Sequence, residues 1–239
     1  MFIGVKINKI HLYPKFAEMK WIYATILGQR TPFTCADLRF VVQYIKTKEN
    51  FMVDGLTNKA VAVVGMCGSG KSVLCSYFTD LGWSSVYFGG VAVSQLKKNG
   101  IPVTEANERQ IREQLRRDLG MGAFAVILKD EILEKLSKGN VVLDGLYSWS
   151  EYVILKELLG DNLVILAVVT NSEIRKKRLN SRPIRPLSAE MVDSRDVAEI
   201  ENSEKGGPIA KADYYVLNNG TEQELKQQFN EFMSWFNAR

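Results

Sequence analysis

Residues 65–72 read Gly-Met-Cys-Gly-Ser-Gly-Lys-Ser, a G-x-x-x-x-G-K-S loop that directly follows the apolar run 60–64 and opens onto helix-compatible sequence. The motif is credible only where a strand ends and a helix begins, so it constrains the fold more than any other feature. Gly68 and Gly70 allow backbone conformations and close approaches that a Cβ blocks, and Ser69 between them adds only a small side chain. Successive N–H groups along Gly65, Met66, Cys67, Gly68, Ser69 and Gly70 can therefore turn inward around phosphate oxygens. A helix starting near Gly70 presents unpaired N–H groups and its positive dipole end to the same anion. Lys71 can reach the β and γ phosphates of a nucleoside triphosphate, and Ser72 offers a hydroxyl oxygen to Mg2+. The expected ligands are ATP and Mg2+.

From Lys59 onward, short apolar runs alternate with amphipathic helical segments, the pattern of crossover connections over a buried parallel sheet. Strands are expected at 60–65, 84–88, 140–144, 163–169 and 213–217. The fold class is α/β: a three-layer α/β/α arrangement around a five-stranded parallel sheet. Ser148-x-x-Glu151 and Thr221-x-x-Glu224 are capping boxes, and Gly139 and Gly160 stand where helix C-caps belong. Residues 1–59 differ, because their apolar positions keep no sustained period and Pro14 and Pro32 interrupt them. Within them, 35–46 has helical spacing at Leu38, Val41, Val42 and Ile45. The division is thus an N-terminal appendage, 1–59, and a main domain, 60–239. The appendage is either an extra helical layer or a segment that contacts a protein partner.

Several function classes fall away. The longest apolar stretch, 163–169, is far short of the roughly 20 residues that cross a bilayer. The N-terminus carries Lys6, Lys9, His11 and Lys15 and lacks an uninterrupted apolar secretion signal. Cys35, Cys67 and Cys75 have no C-x-x-C spacing and His11 is the one histidine, so a Cys/His metal cluster is not available and free thiols fit a cytoplasmic protein. A net charge of +4 favours anionic ligands only weakly.

Two further features bear on chemistry. Asp144 ends the third strand, at the carboxyl edge where open α/β sheets bind ligands, and is the best candidate for a carboxylate on the metal side. Arg175-Lys176-Lys177-Arg178, Arg182 and Arg185 place six positive charges within eleven residues, with Pro183 and Pro186 breaking the helix. Such a run is either a solvated basic face or a lid, about 175–200, whose arginines stabilise charge on a transferring phosphoryl group. It has no aromatic residues for base stacking, which argues against nucleic acid.

Together these residues resemble the small-substrate P-loop kinases, in the dephospho-CoA kinase and adenylate-kinase-like branch. The resemblance spans about 60–236 and rests on Gly65–Ser72, Asp144-Gly145, the 175–185 run and Ala212-Asp213 with Asn218-Asn219-Gly220-Thr221. It implies an ATP-dependent phosphotransferase with Lys71, Asp144, Arg178 and Arg182 in catalysis, Ser72 and Asp144 on the metal, and Asn219 and Gly220 near the base. A segment, 96–121, with Arg109, Arg112, Arg116 and Arg117 on an expected helix, looks like the acceptor side of such enzymes. Its Arg112 and Arg116, four residues apart on one face, are candidates to hold a small anionic acceptor. An exposed helix laced with Glu105, Glu108 and Glu113 ion pairs is the bland alternative. The chain departs from the family after the second strand: Phe88-Gly89-Gly90-Val91-Ala92-Val93 lacks the aspartate and arginine that usually orient the acceptor. That departure keeps an ATP-binding regulator, with weakened or lost transfer, beside the kinase reading. A GTPase or motor is disfavoured because Asn58-Lys59-Ala60-Val61 lacks the aspartate of a guanine-reading element and Gly145 follows Asp144 where a catalytic glutamate would stand.

Overall fold

A computed structural model of the chain describes residues 57–183 and 186–239. The chain separates into two units, Met1–Asn50 and Phe51–Arg239, and every described residue belongs to the second. The helical segment expected at 35–46, the appendage as a whole and Arg185 lie outside the described residues.

Five strands form one all-parallel sheet: β1 (Ala60–Val64), β2 (Ser84–Tyr87), β3 (Val141–Asp144), β4 (Leu163–Val169) and β5 (Tyr214–Leu217), in the order β2-β3-β1-β4-β5. All five match the expected strands to within a residue or two. Alternate residues of β1 supply two cores, as the period-2 pleat requires. Ala60, Ala62 and Val64 pack with Phe124, Leu128 and Ile132 of α4 (Ala123–Leu136) and with Leu155 and Leu159 of α5 (Trp149–Leu159). Val61 and Val63 face Leu74 and Phe78 of α1 (Lys71–Asp80) and Phe229 and Phe232 of α9 (Glu222–Asn237). A sheet buried on both faces explains the unbroken apolar sequence of β4.

The other helices are α2 (Gly90–Lys98), α3 (Glu105–Leu119), α6 (Ser172–Ser181), α7 (Ala189–Glu201) and the short α8 (Gly206–Ala210). Both capping boxes form, at Ser148 with Glu151 and at Thr221 with Glu224. Gly160 caps α5 at φ 55°, whereas α4 ends at Leu136 with Ser137 as its cap, ahead of Gly139. The arginine-bearing helix expected within 96–121 forms as α3. Gly100 and Pro102 separate α2 from α3, and the Thr104 side chain accepts from Asn107 N to start α3 afresh.

The order of the strands makes a crevice. From β1 the chain moves to β2 and β3 on one side and later crosses to β4 on the other, so the neighbours of β1 diverge at its carboxyl end. Register puts Tyr87, Asp144, Val63 and Leu166 in one row across that edge.

Candidate functional site

The loop leaving β1 is held in shape from below by β4 and β5. Gly65, Gly68 and Gly70 all have positive φ, 150°, 77° and 100°. A Cβ on Gly65 would run into the Val168 carbonyl oxygen, and one on Gly68 would sit 2.8 Å from Leu179 Cγ. At Gly70 the obstruction is the Asn218 amide. That amide donates to Ser69 O at 2.8 Å, and Thr170 Oγ1 lies 3.0 Å from Ser69 O and 3.1 Å from Asn218 O. The ends of β4 and β5 thus clamp the loop through one carbonyl, and Ser69 is fully buried.

Lys71 folds back over the loop and donates to Gly65 O at 2.9 Å and Met66 O at 3.0 Å. Burial, and then the nearby Lys205 ammonium, push its pKa down to about 8. Asp144 lies close by, its carboxyl raised above the usual range by burial and opposed by Lys71 and by a hydrogen bond from the Cys75 thiol. Burial likewise drives the Cys75 thiol upward. Ser72 is exposed, one turn before Cys75 on α1.

The loop fits a polyphosphate: its glycines are bare where a Cβ would clash, and a helix starts at Lys71. The donor set fits Mg2+. Among the described residues no three His, Cys, Asp or Glu gather into a metal cage. One hydroxyl, Ser72, and one carboxylate, Asp144, are what a cation completing its shell with phosphate oxygens and waters needs.

The basic run is more firmly tied than a mobile lid requires. Arg175 is buried, donates to Cys67 O at 3.1 Å, and forms a two-pronged ion pair with Asp196 of α7 at 2.8 and 2.5 Å. Lys176 pairs with Asp193 at 2.9 Å. Arg178 donates to Asn218 O at 3.0 Å and Gly220 O at 3.3 Å, so its guanidinium shapes the loop after β5. Asn219 in that loop accepts from Asn171 N at 2.8 Å. Arg182 is the half-buried C-cap of α6.

On the far side of Asp144 the surroundings are aromatic. Half-exposed Tyr87 lies over Gly89 and Gly90, where any Cβ would meet its ring, and Tyr147 packs across Gly145. Arg116 stands over the Phe124 ring at 5.6 Å and lies 3.5 Å from Ser203 Oγ, while Arg112 pairs with Glu108 at 3.4 Å. Arg116 Nε and Glu151 Oε1 are buried without hydrogen-bond partners. Burial raises Glu151 to about 7, although it accepts from Tyr147 N and Ser148 N and feels the charge of Arg116.

Sequence reasoning missed four contributors: Thr170, Arg195, Glu199 and Lys205. Glu199 Oε2 accepts from Cys67 N at 3.3 Å, and Arg195 and Lys205 pair with the Glu199 carboxylate. None belongs to a readable motif.

A parallel sheet carrying this loop at its carboxyl edge defines a P-loop nucleotide-binding protein. Comparison narrows the class. The AAA domain family matches residues 61–204, more than half the chain. A UPF0200 protein of Thermococcus kodakarensis is 33% identical over 178 residues, 72% of this chain and 95% of the relative. One from Thermococcus onnurineus is 32% identical over 177 residues, with the same shares of 72% and 95%. Among solved structures, TT1252 from Thermus thermophilus superimposes with a TM-score of 0.52 at 19% identity, covering 74% of this chain and 97% of that one, which shows a shared fold. The chain belongs to the AAA domain family and to the UPF0200 proteins.

Proposed function

We propose that the chain is an ATP-dependent phosphotransferase that transfers a phosphoryl group to a small metabolite acceptor. The observation that carries this reading is the adjacency of two unlike groups of residues at one sheet edge. A glycine-built phosphate loop with Lys71 lies on one side of Asp144, and Tyr87, Tyr147 and Arg116 lie on the other. Lys71 exchanges the Gly65 and Met66 carbonyls for phosphate oxygens, and the loop N–H groups fix the polyphosphate. Ser72 and Asp144 are the residues that would hold Mg2+, which when bound neutralises developing charge on the phosphates. Arg178 orders the 218–220 loop on the base side, and Arg182, at the end of the same helix, is the proposed contact to the transferring group. Arg112 and Arg116 orient an anionic acceptor, for which no general base is required when the acceptor group is itself a phosphate.

A second reading, a nucleotide-binding regulator without transfer, is favoured by one observation. The residue in register with Asp144 on β2 is Tyr87, and the glycines after it carry no charge. Incubation with Mg-ATP and a panel of nucleotides, nucleosides and dephospho-CoA, read by mass spectrometry, separates the two. A phosphorylated product supports the kinase. ATP binding with no product from any acceptor supports the regulator.

A further inference from the structure

A carboxylate belonging to the protein lies against the phosphate loop. Glu199 Oε2 accepts from Cys67 N at 3.3 Å and pairs with Lys205 Nζ at 2.7 Å, while Oε1 takes Arg195 Nε at 3.1 Å. A single anionic oxygen shared by a loop amide and an ammonium is the arrangement that a phosphate oxygen takes at such loops. Lys205 and Glu199 are well enclosed, their side chains 4% and 12% exposed.

Three cations, Lys71, Lys205 and Arg195, act on this small volume against two carboxylates, Glu199 and Asp144. Lys71 and Lys205 repel each other, and that repulsion helps depress Lys71. Two largely buried lysines that face one another are tolerated when anionic oxygens lie between them. The local backbone is also strained to present the second lysine. Glu204, immediately before it, is the one non-glycine residue with positive φ among those described, at 51°. Lys205 N closes the turn on Glu199 O at 3.2 Å, so donor and competing carboxylate come from one turn.

We infer that Lys205 is a second phosphate-binding lysine, and that the Glu199 carboxylate competes with the terminal phosphates of a nucleoside triphosphate for Cys67 N–H and Lys205. Triphosphate entry then displaces Glu199 from both groups, and Arg195 retains the displaced carboxylate. This rests on the nucleotide-binding reading above and adds to it a residue and an internal competitor.

The test is calorimetric binding of a non-hydrolysable ATP analogue and of ADP to the full chain, with Glu199→Gln, Lys205→Met and the double variant. Glu199→Gln should bind the triphosphate analogue roughly tenfold more tightly, because the charged competitor is gone. Lys205→Met should weaken it at least roughly tenfold. The double variant removes both members of the buried pair, so thermal melting near that of the wild type is expected, with triphosphate affinity at least roughly tenfold below that of Glu199→Gln. If the double variant binds as tightly as Glu199→Gln, Lys205 merely neutralises Glu199 and the inference is wrong. An unchanged or weaker Glu199→Gln variant overturns the competitor role. Failure of the wild-type chain itself to bind the analogue would instead sink the nucleotide reading, and this inference with it.

Discussion

The two sides of Asp144 are built differently. On the β1, β4 and β5 side the site consists of backbone: glycines at φ 77° and 100°, inward N–H groups, and carbonyls clamped by Asn218 and Thr170. On the β2 side it consists of side chains from separate elements, Tyr87 of β2, Arg116 of α3, Tyr147 of the loop after β3 and Glu151 of α5, with two buried polar atoms lacking partners. A backbone-built site is rigid before its ligand arrives and recognises a shape that every polyphosphate shares. A side-chain site can be retuned residue by residue, which is how one fold serves many acceptors.

The largest expected effect lies on the backbone side. Lys71→Ala removes the one flexible cation of the loop and should weaken triphosphate binding by about 100-fold, from the loss of about 3 kcal/mol of charge-assisted hydrogen bonding. It should also abolish turnover. Retention of tight binding in a titration would mean that the loop backbone alone suffices and would sharpen the distinction drawn above.

Next comes one chemical change made on both sides. Gly68→Ala forces an alanine to φ 77° with its Cβ 2.8 Å from Leu179 Cγ, so stability should fall by about 1–3 kcal/mol in urea denaturation. Gly89→Ala adds a Cβ at φ −62°, an ordinary helical value, against the half-exposed Tyr87 ring, which can swing away. Its cost should stay within about 0.5 kcal/mol. Equal losses would show that the acceptor side is as rigid as the phosphate side.

The same contrast explains what could be read in the sequence. Strand positions follow from apolar periodicity, and Gly65–Ser72 is a local motif whose eight residues carry their own geometry. The interruption at Gly100 and Pro102 was legible too, since proline lacks the N–H that a helix interior needs. By contrast, charge spacing could not reveal that Arg175 and Lys176 pair with Asp196 and Asp193, or that Arg178 faces carbonyls at 218 and 220, because those contacts depend on tertiary placement. Lys205 and Glu199 reach the loop from more than 130 residues away, through a turn with no signature. Thr170 looked like an ordinary residue at the end of β4, and only the approach of β5 turns its hydroxyl into a clamp.

On the side-chain side, Arg116→Ala should raise the KM for the acceptor about tenfold while leaving triphosphate affinity within about twofold. Because the Arg116 charge acts on buried Glu151, some stability is lost as well, and Arg116→Ala with Glu151→Gln should recover it without recovering the KM. Recovery of both would make Arg116 a structural partner and remove it from the acceptor site.

The effects of pH run in opposite senses on the two sides. Lys71 sits at about 8, below its ordinary 10.5, so its charged form is disfavoured in the folded protein. Its contribution to stability therefore rises as pH climbs from about 8 toward 10.5. Phosphate binding needs that charge, so triphosphate affinity should be flat below about pH 8 and fall up to about tenfold per unit above it, with proton uptake detectable by calorimetry in buffers of different ionisation enthalpy. Glu151 sits at about 7, above its ordinary 4.5, so the folded state keeps a proton that the unfolded chain has already lost. Its contribution is greatest below about pH 4.5 and declines as pH rises to about 7, by on the order of 1–3 kcal/mol. Glu151→Gln should flatten that decline in denaturation curves while leaving the alkaline fall in triphosphate affinity untouched. If one substitution altered both pH dependences, the two halves of the crevice would be electrostatically a single site, and Asp144 would be coupling them rather than separating them.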